Sequence, residues 1–294
     1  MTILNDLKMQ FKIGDVTTKL LFWNVGLFAI PLLFFSFLRL FKIEIDYLNF
    51  VSLSTVPSAL LWKPWSIISY AFFHNDIFHI LFNMLMLNFA GKLFTTFFTQ
   101  KQLLSLYFVS AIFGALVYIV SYMVFPALVN QTVSMVGASG AIMAILVATA
   151  AYQPTMEVRL LLIGNIKLVY LVLFLLIIDL IQLPMNNTGG HLAHLAGALF
   201  GFFYVQQIQN GTDITNWFSA CITFFVTLIN PTKTTPFRSV HVNPKKPAQK
   251  TASKIITKDK TQQQIDLILD KISKSGYDSL DLSEKEFLFK MGSN

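Results

Sequence analysis

The chain has 294 residues, of which 54% are hydrophobic and only 13% are charged. Because a soluble globular protein carries about a quarter charged residues, this composition excludes a surface that faces water throughout. The net charge of +7 does not indicate a nucleic-acid partner, since from Pro231 onward twelve Lys and Arg stand against seven Asp and Glu.

Apolar runs long enough to cross a bilayer, about 20 residues each, recur along the chain. They predict an all-α polytopic membrane protein in which residues 19–210 form a six-helix bundle. The segment before it, residues 1–18, is expected to hold no cleavable signal peptide and to lie in the cytoplasm. The six predicted spans lie near residues 20–40, 77–98, 103–125, 133–152, 167–183 and 191–208.

Basic residues predict the orientation of the bundle, because cytoplasmic flanks hold most Lys and Arg. The 2–3 turn carries Lys92 and Lys101 and the 4–5 turn carries Arg159 and Lys167, whereas the 3–4 and 5–6 turns carry none. Both termini are therefore predicted to be cytoplasmic. A seventh span at residues 211–230 would export the basic tail, so this short apolar segment is interpreted as an interfacial helix.

Four polar side chains, His79, Asn83, Ser139 and His194, fall in the first two turns of spans 2, 4 and 6. These spans run in the same direction, so the four residues share one depth, on the order of 10 Å below the outer face. Polar residues inside a membrane indicate a functional site. His79 and Asn83 are four residues apart and point the same way from one helix.

Small residues predict that spans 4 and 6 touch. Gly140 and Ala144 lie on span 4, and Gly197 and Gly201 form a GxxxG pattern on span 6. Such patterns let helix backbones approach closely. Contact between these two helices would bring the serine of span 4 within reach of the histidine of span 6.

A serine becomes nucleophilic when an imidazole takes its proton, which predicts a Ser139–His194 pair. Negative charge then develops on an oxygen of the tetrahedral intermediate, and hydrogen-bond donors aimed at that oxygen stabilise it. Asn83 and His79 are the predicted donors, together with the backbone N–H of Ser139. The two donors could instead merely bridge helices.

Four sequence motifs resemble the rhomboid family of intramembrane serine proteases. They are "PWSIISYAFFH" at 64–74, the HxxxN of His79 and Asn83, "GASG" at 137–140 and "HLAHLAG" at 191–197. The resemblance implies Ser139 as nucleophile and His194, not His191, as base, without an obligatory aspartate, a cofactor or a metal.

The resemblance covers roughly residues 17–208 and implies transmembrane protein substrates cut within the lipid bilayer of a bacterial inner membrane. Substrates would enter past span 5 and under a cap at residues 183–190. Some bacterial members carry a tyrosine that packs on the catalytic imidazole; here Met143 stands at that position, so looser support of His194 is expected.

Other functions stay open. A catalytically inactive rhomboid-like protein could bind or escort membrane clients. A metal site could use His74, His79, His191 and His194, although the spacing offers no HExxH motif. A solute carrier would need charged residues at mid-membrane depth, and the predicted spans have none there.

Asp179 lies near the outer end of span 5, close to the depth of the proposed pair. It could orient His194 as the third member of a triad. The favoured interpretation is a carboxylate that reaches interfacial water or pairs with a polar neighbour, since the family pattern has no such residue.

The C-terminal part predicts a basic disordered linker at 231–260 and a small helical hairpin at 261–294. Ser283 and Glu286 match a capping box. The hairpin is too small to hold a core easily and is expected to dock on an unknown partner or on the membrane domain. Cys221 is the single cysteine, which excludes an internal disulfide.

Overall fold

The computed structural model describes residues 2–161, 164–185, 187–229 and 260–292. The chain divides into two compact units, residues 1–232 and 233–294. In the first unit the elements are, in chain order, α1 (Ile3–Ile13), α2 (Val16–Arg39), α3 (Tyr47–Val51), β1 (Leu53–Ser54), α4 (Ala59–Trp62), α5 (Ser66–Ser69), α6 (Ile77–Phe94), α7 (Gln100–Val124), β2 (Ser134–Met135), α8 (Ser139–Tyr152), β3 (Glu157–Leu160), β4 (Gly164–Lys167), α9 (Leu168–Gln182), α10 (Thr188–Gln209) and α11 (Asn216–Ile229).

The predicted helical bundle is confirmed, since α2 and α6 to α10 coincide with the six predicted spans. Within the described residues, α2, α6 and α7 are the helices that are long and apolar enough to cross a membrane on their own. Helices α8 and α9 are shorter, with 14 and 15 residues. Helix α10 has 22 residues and carries His191 and His194.

Helix α8 begins at Ser139, six residues later than predicted, because the residues before it pair with the long first loop. Leu53 pairs with Met135 and Ser54 with Ser134 in the two-stranded antiparallel sheet β1–β2. Non-helical backbone at membrane depth is tolerated where protein buries it, and residues 135–138 are buried. The predicted 4–5 turn is likewise a hairpin, β3–β4.

Helix α8 lies at the centre of the bundle. All its residues from Gly140 to Ala150 are buried, and it contacts α6, α7, α9 and α10. A helix that is apolar on every side must be covered on every side, which is why this span occupies the middle.

The predicted contact between α8 and α10 is confirmed by how closely their backbones approach. A Cβ added at Gly197 would lie 2.0 Å from the carbonyl oxygen of Gly140. One added at Gly201 would lie 2.1 Å from that of Ala144. Only glycine fits at either position, so these four residues fix the distance between the two helices.

Helix α11 packs on the N-terminal part of α7. The buried hydroxyls of Ser105 and Ser219 lie 2.5 Å apart, and the rings of Phe108 and Phe218 stack. Ser219, which interrupts the apolar pattern in the sequence, is therefore a packing contact. With 14 residues the helix is about 21 Å long, short of the roughly 30 Å hydrocarbon core. Its interfacial position stays a prediction.

The second unit confirms the predicted helical hairpin, with α12 (Lys260–Ser275) and α13 (Leu282–Gly292). Lys271 of α12 pairs with Glu284 of α13 at 2.7 Å. The predicted linker at 231–260 lies outside the described residues apart from Lys260, which begins α12.

The predicted capping box at Ser283 and Glu286 is wrong, because α13 starts two residues earlier than that pattern implies. Asp281 accepts the amide of Glu284 at 2.8 Å, and Glu284 accepts the amide of Asp281 at 2.9 Å. Hydrogen bonds from the Ser283 hydroxyl and the Glu284 amide lower the pKa of Asp281. A hydrogen bond from Lys271 likewise lowers the pKa of Glu284.

Candidate active site

Gly137, two residues before Ser139, has a backbone conformation that favours glycine. Gly137 has a φ of +136°, a conformation that side-chain-bearing residues rarely adopt. Its N–H donates to the carbonyl of Tyr70 at 2.8 Å, and the Tyr70 hydroxyl donates to the carbonyl of Ala111 on α7 at 2.7 Å. These bonds tie the loop to the bundle and place Ser139 at the start of α8.

Ser139 and His194 meet as predicted. The hydroxyl oxygen of Ser139 and Nε2 of His194 are 2.6 Å apart, and both residues are half-buried. Gly140 directly follows Ser139 and Gly197 lies three residues after His194, so the close approach of these two glycines holds the two side chains at this distance. The pair thus depends directly on the packing of α8 against α10.

Of the two favoured interpretations of Asp179, the contact with interfacial water is wrong and the pairing with a polar neighbour is confirmed. The residue is buried, with 5% of its surface exposed. One carboxylate oxygen accepts hydrogen bonds from Nδ1 of His194 at 2.8 Å and from Nδ1 of His191 at 2.7 Å. The polar neighbour that Asp179 pairs with is therefore His194 itself, in the arrangement that the sequence analysis disfavoured.

These contacts determine the protonation of the His194 ring. An ionised carboxylate only accepts hydrogen bonds, so Nδ1 of His194 must carry the proton that faces Asp179. In the neutral ring Nε2 then has a free lone pair, and it accepts the hydroxyl proton of Ser139. This is the tautomer that a base acting on Ser139 needs.

His79 lies across a small cavity from this pair. The carboxylate of Asp76 accepts the backbone N–H of His79 at 2.9 Å and so caps α6. The N–H of Asn75 points to Nδ1 of His79 at 3.4 Å, which leaves the ring proton on Nε2. A Cβ added at Gly137 would lie 2.8 Å from that Nε2 and 3.7 Å from the Ser139 hydroxyl. His79 and Ser139 thus line the same cavity, on either side of Gly137.

Asn83 lies one turn further along α6 and is buried, with 6% exposed. Its amide nitrogen donates to the carbonyl of His79 at 2.8 Å, and the residue lines the same cavity as His79. Its amide oxygen has no hydrogen-bond partner among the described residues. The structure therefore brings all four predicted polar residues to one site.

Ser139 and His194 also lie between two cavities. One, of about 380 Å³, is lined by polar groups that include Asp76, His79 and Asn187. The other, of about 360 Å³, is mostly apolar and lies between α6, α8 and α9, with Phe82 and Leu175 in its walls. The serine is accessible from a polar side and from an apolar side.

The alternative of a four-histidine metal site does not form among the described residues, where His191 pairs with Asp179. His74 is buried against His79, and this burial lowers its pKa to about 3. A different group, Asp179, His191 and His194, brings its ligand atoms within 4.8 Å of one another. A cation there would have to displace the Nδ1 protons that the carboxylate now accepts.

A scan against family models matches a rhomboid domain at residues 61–209. A family of unknown function, DUF6576, matches residues 256–291, which contain the helical hairpin.

Among curated proteins, the chain is similar to RHOMBOID-like protein 12, mitochondrial, of Arabidopsis thaliana. The two are 28% identical over an alignment of 209 positions, which covers 67% of this chain and 59% of that protein. The present chain thus matches less than two thirds of this relative's length. The rhomboid model spans 149 residues, just over half of the 294, and its match includes all the residues of the site. The chain is a membrane protein of the rhomboid family.

Proposed function

We propose that the protein is an intramembrane serine protease that hydrolyses peptide bonds in or near transmembrane segments of other membrane proteins. The observation that carries the proposal is the 2.6 Å contact between the Ser139 hydroxyl and Nε2 of His194. A serine–imidazole contact of this length, at the edge of a cavity, is the arrangement of an activated nucleophile.

In the first step the Ser139 oxygen attacks the carbonyl carbon of the scissile bond while Nε2 of His194 takes the hydroxyl proton. The carbonyl oxygen becomes an oxyanion. His194 then gives its proton to the leaving amine as the C–N bond breaks, which leaves an acyl-enzyme on Ser139. Water deprotonated by His194 attacks the ester, and the serine leaves with the proton.

Three donors would stabilise the oxyanion. The backbone N–H of Ser139 belongs to the first turn of α8, whose N–H groups lack intrahelical acceptors. Nε2–H of His79 and the second N–H of Asn83 reach the same cavity. One well-placed side-chain donor is worth about 3–4 kcal/mol to the transition state.

The two cavities suit the two reactants. Water would enter through the polar cavity, and a transmembrane segment in the lipid bilayer would reach Ser139 through the apolar cleft between α6 and α9. With both termini cytoplasmic, as the basic residues predict, cleavage would occur near the outer face. We propose a bacterial inner membrane as the location, because the basic residues, including those of the C-terminal tail, fit cytoplasmic termini. The similar plant protein is mitochondrial.

The test is covalent labelling of purified full-length protein with a fluorophosphonate probe. Wild type is expected to react, and Ser139→Ala should lose the label completely. Ser121→Ala is a matched control, because Ser121 only bonds back to the carbonyl of Val117 in its own helix and should label as wild type does.

Equal labelling of wild type and Ser139→Ala would refute the assignment. An unlabelled wild type that co-purifies with intact membrane proteins would instead favour the inactive, client-binding alternative.

A further inference from the structure

We propose that Asp179 is a positioning residue for His194, so that the site works as a Ser139–His194–Asp179 triad in which His191 holds the carboxylate in place. This inference rests on the proposed function and deepens it.

The first support is the geometry around one oxygen atom. Oδ1 of Asp179 accepts from Nδ1 of His191 at 2.7 Å and from Nδ1 of His194 at 2.8 Å, and the two rings stand at 89° to each other. Because the donors converge on one atom from different directions, neither the carboxylate nor the His194 ring can rotate without breaking a bond.

The second support is where the carboxylate lies. Asp179 is in the last turn of α9, a helix that is otherwise apolar apart from Gln182 at its end and Tyr170 at its start. A buried carboxylate without partners is strongly unfavourable, so its place in such a helix needs compensation. The two imidazoles supply it, and one of them is the base that contacts Ser139.

The third support is what the contact does during the reaction. When the Ser139 O–H bond breaks, the proton forms a bond to Nε2, and His194 becomes an imidazolium. Nδ1 keeps its own proton, and the negative charge of Asp179, 2.8 Å away, stabilises the new positive charge. Before attack the same contact keeps Nε2 unprotonated, so that it can accept.

His191 has a separate part in this arrangement. Its ring points to Asp179, and Nε2 of His194 is the ring nitrogen that contacts Ser139. We therefore assign to His191 the orientation of the carboxylate and no proton transfer with the serine.

The test uses the full-length protein and the rate of fluorophosphonate labelling, separated into the maximal inactivation rate and the probe affinity. Asp179→Asn keeps the shape but offers an amide N–H to Nδ1, which moves the ring proton to Nε2 and removes the acceptor for Ser139. We expect the maximal rate to fall about 100-fold or more, with probe affinity changed by less than about 3-fold.

His191→Phe should lower the rate less, by about 3- to 10-fold. In an Asp179→Asn background it should change the rate by less than about 2-fold, because residues that act as a unit are not additive. Asp46→Asn is the matched carboxylate-to-amide control. Asp46 only caps the short helix α3, where asparagine caps equally well, so its rate should equal that of wild type.

Labelling of Asp179→Asn within about 3-fold of wild type, in protein that unfolds at the wild-type temperature, would overturn the proposal. Loss of labelling with EDTA and its return with zinc would also overturn it and make the cluster a metal site. The NMR spectrum of protein with ¹⁵N-enriched histidine gives a readout that does not depend on reaction with the fluorophosphonate probe. It should show Nδ1–H for His194 in wild type and Nε2–H in Asp179→Asn, and an unchanged tautomer would contradict the inference even if wild type failed to label.

Discussion

Gly197→Ala tests whether the packing of two helices sets the geometry of the site. The new Cβ would lie 2.0 Å from the carbonyl oxygen of Gly140, whereas ordinary contact begins near 3.4 Å. The obstacle is helix backbone, so α8 and α10 must separate locally by about 1.4 Å, the difference between those two distances. The same shift would lengthen the 2.6 Å contact between Ser139 and His194 to about 4 Å, beyond a hydrogen bond.

A misplacement of about 1 Å can cost about 100-fold in rate, so we expect the labelling rate of Gly197→Ala to fall by about that factor. Overpacking should also destabilise the fold by about 1–3 kcal/mol. Labelling kinetics and thermal unfolding in detergent measure the two effects.

Two glycine variants serve as controls. Gly26→Ala lies in α2, where an added Cβ meets nothing within 4 Å, and should label like wild type with equal or higher stability. Gly201→Ala makes an equally close contact with Ala144, one turn further from the site, so it should lose similar stability but less activity. If Gly197→Ala matches Gly26→Ala in both measurements, the helix contact does not set the site.

Two further predictions concern the oxyanion donors and the tail. His79→Phe and Asn83→Ala should each lower the labelling rate by about 100-fold, whereas rates within 3-fold of wild type would make these residues mere helix bridges. The pKa values of Asp281 and Glu284 are lowered in the folded state, so their ionised carboxylates stabilise α13 at pH values above the ordinary pKa values of 3.8 and 4.5. This contribution is lost as the pH falls through the folded-state pKa values. Hydrogen exchange of the α13 amides, corrected for intrinsic rates, should therefore speed up in acid; an unchanged protection factor would contradict it.

The bundle could be predicted because its main determinants are local in the sequence. Hydropathy gave the six helices, and the direction of each span put the four polar residues at one depth. The contact of α8 with α10 could be predicted as well, since Gly197 and Gly201 are useful only where another backbone approaches. Each of these inferences needs only the order of residues along one helix.

The start of α8 could not be predicted in this way, because it depends on a partner distant in the sequence. Leu53 and Ser54 pair with the residues that precede the GASG motif, and nothing in the apolar run at 133–152 indicates a strand. The capping of α13 depends on neighbouring residues, but the sequence offers two possible capping boxes. Asp281 and Ser283 both precede acidic residues at the capping-box spacing, and the hydrogen bonds select the earlier pair.

For Asp179 the family pattern and the physical argument from charge lead to different expectations. A carboxylate within a membrane helix is costly enough to call for a partner, and two histidines three residues apart on α10 were available as donors. The family pattern has no such residue, and it therefore argues against Asp179 as a partner that orients His194. In this chain the charge argument, which needs no pattern, points to the contact that the structure contains.

The same contact bears on Met143, for which the sequence analysis expected looser support of His194. A ring that must accept a proton at one nitrogen can be held from its face or through its other nitrogen. Met143 is buried and lines the apolar cleft together with His194, and a thioether there restrains a ring only by packing. The hydrogen bond from Nδ1 to Asp179 instead fixes both the orientation of the ring and its tautomer, which packing by a side chain on the ring face cannot do. The expectation of looser support concerns only the face of the imidazole, whereas the second nitrogen of the ring contacts Asp179.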